Sequence, residues 1–145
     1  MISLPDGLLG REIDLGAVLV TAEMVADYMA AVGDPACSVA APREAPPTFC
    51  LALRRGMTPE VELPPDVFGV YGGHDLEFHH PIRAGERYHI SGRVADVYEK
   101  FGRSGVLTIV VREATIRDSA GAVVARITER QIIRQRPPLV PRDLG

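Results

Sequence analysis

The side chains with which this 145-residue chain could do chemistry are an aspartate set behind a glycine, four histidines and two cysteines. Cys37 and Cys50 are too few for a disulfide framework and lack the spacing of metal ligands, so each is expected to be a buried thiol and no metal site is expected. His79 and His80 are neighbours in a predicted strand, where only one of them can face the interior. His89 alternates with Tyr88 and Ile90 and is expected on the solvent side. His74 follows Gly72-Gly73 at the start of a predicted strand. It has two readings, a group with a chemical role or a hydrogen-bonded structural imidazole. Asp34 follows Gly33 at the end of a predicted helix and is either a proton-transfer group or the cap of the turn. Tyr28 and Tyr71 fit a core or pocket wall better than an acid.

The elements that must position these groups centre on Ala45 to Gly56, which reads as a short helix apolar through Phe49, Cys50, Leu51, Ala52 and Leu53. A helix apolar nearly all round belongs inside a fold. Pro47 suits its first turn, Gly56 its end, and Arg54 and Arg55 complement the dipole of the last turn. Its N–H groups around Thr48 and Phe49 could face a ligand carbonyl or anion, or the helix could simply plug a sheet. Before it, Leu8 to Ile13 reads as a short edge strand. Thr21 caps a helix whose Val25, Tyr28, Met29 and Val32 share one face, and Gly33 ends it. After it come strands at Val67 to Tyr71, His74 to His80, Glu86 to Phe101, Ser104 to Asp118 and Ala122 to Arg134, the last three joined by hairpin turns. Val106 to Val111 is apolar on both faces, which marks its strand as central. The class is α+β: a long antiparallel sheet of five or six strands wrapped around one buried helix, the hotdog fold. Such a sheet leaves an open edge, so pairing into a double hotdog, as homodimer or heterodimer, is expected.

The size fits a single domain over 1–145, with a core at about 10–134 and a tail at 135–145. With 46% hydrophobic and 24% charged residues the chain is ordinary for a globular protein. A net charge of −3 with no basic run argues against nucleic acid as partner. No stretch has the pattern of a signal peptide or a membrane span, so a cytoplasmic protein is expected, with no membrane association. No cofactor motif is present, and no cofactor is expected.

Three ordered segments carry a family likeness: Tyr28-x4-Gly33-Asp34-Pro35, Ala45-Pro46-Pro47-Thr48-Phe49, and His74 through Glu86. Together with Val94 to Gly105 they resemble the MaoC-like hydratases and dehydratases, most of all the dehydratase domain in the N-terminal half of double-hotdog enzymes. The resemblance implies an acyl thioester on coenzyme A or an acyl carrier protein, gaining or losing water across a 2,3 double bond. Active members use an Asp and a His in a Gly-Asp-x-Asn-Pro-(aliphatic)-His pattern, with an N–H at the start of the central helix on the thioester carbonyl. Here Gly33 and Asp34 match, while Ala36, Cys37 and Val39 stand at the Asn, Pro and His positions. Valine cannot exchange a proton, so the resemblance implies an acyl-binding subunit of a dehydratase pair. Its candidate residues are Asp34 and His74 for catalysis, and Tyr28, Pro47, Thr48, Phe49, Tyr71, Gly72 and Gly73 for binding. A non-catalytic acyl-binding protein, or a cyclase, dehydratase or isomerase of polyketide biosynthesis with altered chemistry, are the alternatives.

Overall fold

A computed structural model describes residues 4–35, 43–53, 63–103 and 105–136. Five strands form one antiparallel sheet: β1 (Ile13–Leu19), β2 (Val67–Phe78), β3 (Arg87–Gly102), β4 (Gly105–Arg117) and β5 (Val123–Gln135). Their spatial order is β1-β3-β4-β5-β2. The strand carrying Val106 to Val111 is therefore the middle one, as its two-sided apolarity predicts. One α-helix, α1 (Ala22–Ala31), follows β1, and a 3₁₀ helix (Pro47–Leu53) lies between α1 and β2 in sequence.

Local chemistry explains the boundaries. Thr21 caps α1 by accepting a hydrogen bond from Met24 N–H at 3.1 Å. The turn between β4 and β5 is held by Asp118, whose Oδ1 accepts from the N–H groups of Ala120 (3.0 Å) and Ala122 (2.9 Å). Four expectations are corrected. The first strand is Ile13–Leu19, not Leu8 to Ile13; Leu9 makes only an isolated bridge to Val94, because the chain turns at Gly7 and Gly10 before any ladder can form. The two predicted strands at Val67 and His74 are one strand, interrupted by a bulge between Tyr71 and His74. Val32 does not face inward: it is the C-cap residue and is 56% exposed. The central helix is 3₁₀ rather than α, and its expected end at Arg54 to Gly56 lies outside the described residues.

The helix and the sheet share one core. Phe49, Cys50 and Leu53 of the 3₁₀ helix cluster with Val25 and Met29 of α1 and with Ile90, Ala114, Ile116, Ala125 and Ile127 of the sheet. Register places Ala114 opposite Ile127 and Ile116 opposite Ala125, so small and large residues alternate on the floor beneath the helix. A second cluster, built on Leu8, Val94, Val110 and Ile133, fills the same inner face farther along the strands. In urea denaturation, Ile116→Ala is expected to cost about 2–5 kcal/mol as a buried-core truncation, and Thr21→Ala about 1 kcal/mol as a lost cap. Equal costs for the two would contradict the packing described.

Candidate functional site

The end of α1 sets the position of Asp34. Gly33, at φ 72°, is the left-handed residue after the Val32 cap, and its N–H donates to Ala30 O at 3.2 Å. The N–H of Asp34 then donates to Met29 O at 2.9 Å, which completes a Schellman motif. Asp34 is thus held at the helix end by its own backbone, half-buried. Val39, Cys37 and Ala36 lie outside the described residues.

Three of the predicted binding residues meet one turn back along α1. Tyr28 donates its hydroxyl hydrogen to Thr48 Oγ1 at 2.8 Å, and its ring stands edge-on to Phe49 with centroids 5.4 Å apart. These contacts tie α1 to the start of the 3₁₀ helix. The N–H of Phe49 does not serve a ligand, because it donates to Pro46 O at 2.9 Å. Pro47 borders a cavity of about 340 Å³ between the start of this helix and the end of β2, with Pro46, Phe78, His79 and His80 on its walls. Neither His79 nor His80 belongs to a strand. Both N–H groups bind Val124 O, at 2.9 and 3.3 Å, just past the end of β2, so the alternation expected of them does not apply. The His79 ring pairs with Glu77 at 2.7 Å, and His89, exposed as predicted, pairs with Asp14 at 3.0 Å.

The second group is made by the bulge in β2. Gly73, at φ 111°, lets three steps of β2 span two of β5: Tyr71 pairs with Gln131 and His74 with Glu129. Tyr71 and His74 therefore share the inner face, and the Tyr71 hydroxyl hydrogen-bonds to His74 Nδ1. Gly72 is closely packed, since a Cβ there would meet Arg130 O and Ile132 Cγ1 at 3.0 Å. No hydrogen bond or ring contact among the described residues joins this group to Tyr28, Thr48 and Phe49.

Register adds three residues that sequence reasoning missed. His74, Glu129 and Arg112 form one row across β2, β5 and β4, and Tyr71 and Gln131 form the next. This polar band crosses β2 and β5 and reaches β4 on the inner face, and its two rows end on Val94 and Val110 of the second apolar cluster. The signal was in the alternation: Arg112 falls in phase with Val110, Ala114 and Ile116, and Glu129 and Gln131 fall in phase with Ile127 and Ile133. Charged and amide side chains on a core-facing phase are the informative exceptions. Among the described residues no group of three or more His, Cys, Asp or Glu side chains could hold a metal ion, and no helix is long and apolar enough to cross a membrane.

A buried short helix on a five-stranded antiparallel sheet, with polar groups gathered at the helix start and across the inner face, defines a hotdog protein. The chain belongs to the FAS1-like dehydratase family: the model of that family's dehydratase domain region matches residues 7–127. Solved structures of the same fold include the MaoC-like dehydratase of Rhodospirillum rubrum, at 21% identity over 89% of this chain and 94% of that one, TM-score 0.63. The 3R-hydroxyacyl-ACP dehydratase complex HadBC of Mycobacterium tuberculosis matches at 21% identity, 89% of this chain and 99% of that one, TM-score 0.63. The (R)-hydratase of A. caviae involved in PHA biosynthesis matches at 16% identity, 91% of this chain and 100% of that one, TM-score 0.59. No curated protein matches.

Among the described residues, Cys50 and Tyr88 titrate away from their ordinary values. Burial pushes the Cys50 thiol from 9.0 up to about 11, against the N–H groups of Leu51 and Cys50 that favour the thiolate. Burial also raises Tyr88, opposed by the Arg83 N–H that its oxygen accepts at 2.8 Å and aided by Glu86, to which its hydroxyl donates at 3.0 Å. As pH rises past 9.0, the unfolded chain releases the Cys50 proton while the native protein keeps it, so stability falls until about pH 11. The loss amounts to at most about 3 kcal/mol. Denaturation between pH 8 and 11 should show this decline, with a shallower slope in Cys50→Ala and a residual contribution from Tyr88. An unchanged slope in that variant would refute the assignment.

Proposed function

We propose that this chain is an acyl-thioester-binding member of a hydratase or dehydratase pair, in which a second hotdog subunit supplies the catalytic histidine. The observation that carries the reading is a family sequence that runs through Gly33 and Asp34 but has Val39 where the proton-transferring histidine is expected. The fixed position of Asp34, and the cavity beside Pro47 at the helix start, support a retained acyl site with incomplete acid–base machinery. The ligand is an acyl chain on coenzyme A or an acyl carrier protein. The protein acts in the cytoplasm, in fatty-acid or polyketide metabolism.

The edge of β2 supports the pairing. Among the described residues this twelve-residue strand pairs with β5 alone, and Val70, Tyr71 and Phe78 are 43%, 56% and 44% exposed. A long edge with exposed apolar side chains is a template for another strand. Sedimentation at micromolar concentration should give at least twice the chain mass, or the chain should take up a second hotdog subunit of its pathway. A clean monomer that binds no such subunit counts against the pairing.

Activity follows the same logic. With crotonyl and longer enoyl thioesters the chain alone should turn over about 10²–10⁴-fold more slowly than a hydratase with both catalytic groups. Adding a motif-intact subunit should restore the rate. Turnover at ordinary hydratase rates by the chain alone, abolished by Asp34→Ala, would show that Asp34 has recruited another base and would overturn the subunit role.

A further inference from the structure

Two buried side-chain atoms find no hydrogen-bond partner among the described residues, Arg112 Nε and Gln131 Oε1. Both residues sit in the polar band of the inner face, Arg112 opposite Glu129 and Gln131 opposite Val110. They are diagonal neighbours across the β4–β5 ladder, a separation that long side chains bridge. The Gln131 amide also has a fixed seat: it lies over Gly69, where a Cβ would come within 2.3 Å of Nε2. One atom is a donor and the other an acceptor, and leaving both unpaired in the interior is unfavourable.

We infer that Arg112 and Gln131 recognise a hydroxyl group on the acyl chain, beyond the carbons that undergo hydration. The inference rests on the acyl-thioester reading above. A hydroxyl meets both needs at once, since its oxygen accepts from Arg112 Nε–H and its hydrogen goes to Gln131 Oε1. A keto oxygen satisfies Arg112 alone, and a methylene satisfies neither. A carboxylate would suit Arg112 but would face the Gln131 oxygen and lie in the same row as Glu129. The substrate class is therefore a hydroxylated acyl chain, as distinct from a plain alkyl one.

Calorimetric titration of the protein in its native assembly tests this, using octanoyl-CoA and octanoyl-CoA analogues with one hydroxyl or one keto group at C5, C6, C7 or C8. One hydroxylated isomer should bind about tenfold more tightly than octanoyl-CoA, with its keto counterpart in between. Gln131→Leu and Arg112→Met should remove that advantage and leave octanoyl-CoA affinity in place. Gly69→Ala should also remove it, by displacing the Gln131 amide, and serves if either polar substitution fails to fold. Equal affinity for all chains would overturn the hydroxyl site and leave the acyl reading standing. Failure to bind any thioester would overturn both.

Discussion

Burial of the 3₁₀ helix against the inner face of the sheet is the interaction on which the other features depend. A seven-residue helix with i→i+3 bonds has no independent stability. It persists because Phe49, Cys50 and Leu53 enter the core, and because Tyr28 and Pro46 occupy polar groups at its start. The sheet depends on it in turn. Ala114 and Ala125 leave a shallow floor that only a closely approaching element can cover, and the helix is that element.

The same arrangement accounts for the polar band. The helix is roughly 14 Å long at 2 Å per residue, whereas the thirteen residues of β4 or β5 span roughly 43 Å at 3.3 Å per residue. The described helix is shorter than the strands it packs on. Along the inner face the rows after Ala114 and Ile127 carry His74, Glu129 and Arg112 and then Tyr71 and Gln131, and these same rows continue into Val94 and Val110 of the second apolar cluster. Polar side chains on a core-facing phase, two of them with buried unpaired atoms, do little for packing and are more economically explained by a ligand with matching polarity.

Much of this was legible in the residues. Two-sided apolarity placed β4 in the middle, and the glycine after α1 located both the end of that helix and the start of the Asp34 segment. The apolar run from Phe49 to Leu53 announced a buried helix, although its 3₁₀ geometry left no trace in the pattern. What escaped was non-local. Whether Leu8 to Ile13 would pair depended on turns at Gly7 and Gly10 rather than on its aliphatic content. Arg112, Glu129 and Gln131 are unremarkable one strand at a time, and they form a band only once three strands are in register. The Phe49 N–H, by contrast, is satisfied locally, by the carbonyl of Pro46 three residues earlier.

The bulge at Gly72-Gly73 gives β2 a reading frame. Upstream of it the odd-numbered residues Val67, Gly69 and Tyr71 face inward; downstream the even-numbered His74, Leu76 and Phe78 do. Loss of one glycine would leave the composition nearly unchanged but shift one half of the strand out of phase with the other. Either Phe68 and Val70 would replace Val67, Gly69 and Tyr71 on the inner face, or His74 would turn to the outside with Leu76 and Phe78. Insertions and deletions at this dipeptide therefore act as frameshifts of the fold, and length at this point is under tighter constraint than the identity of the exposed residues around it.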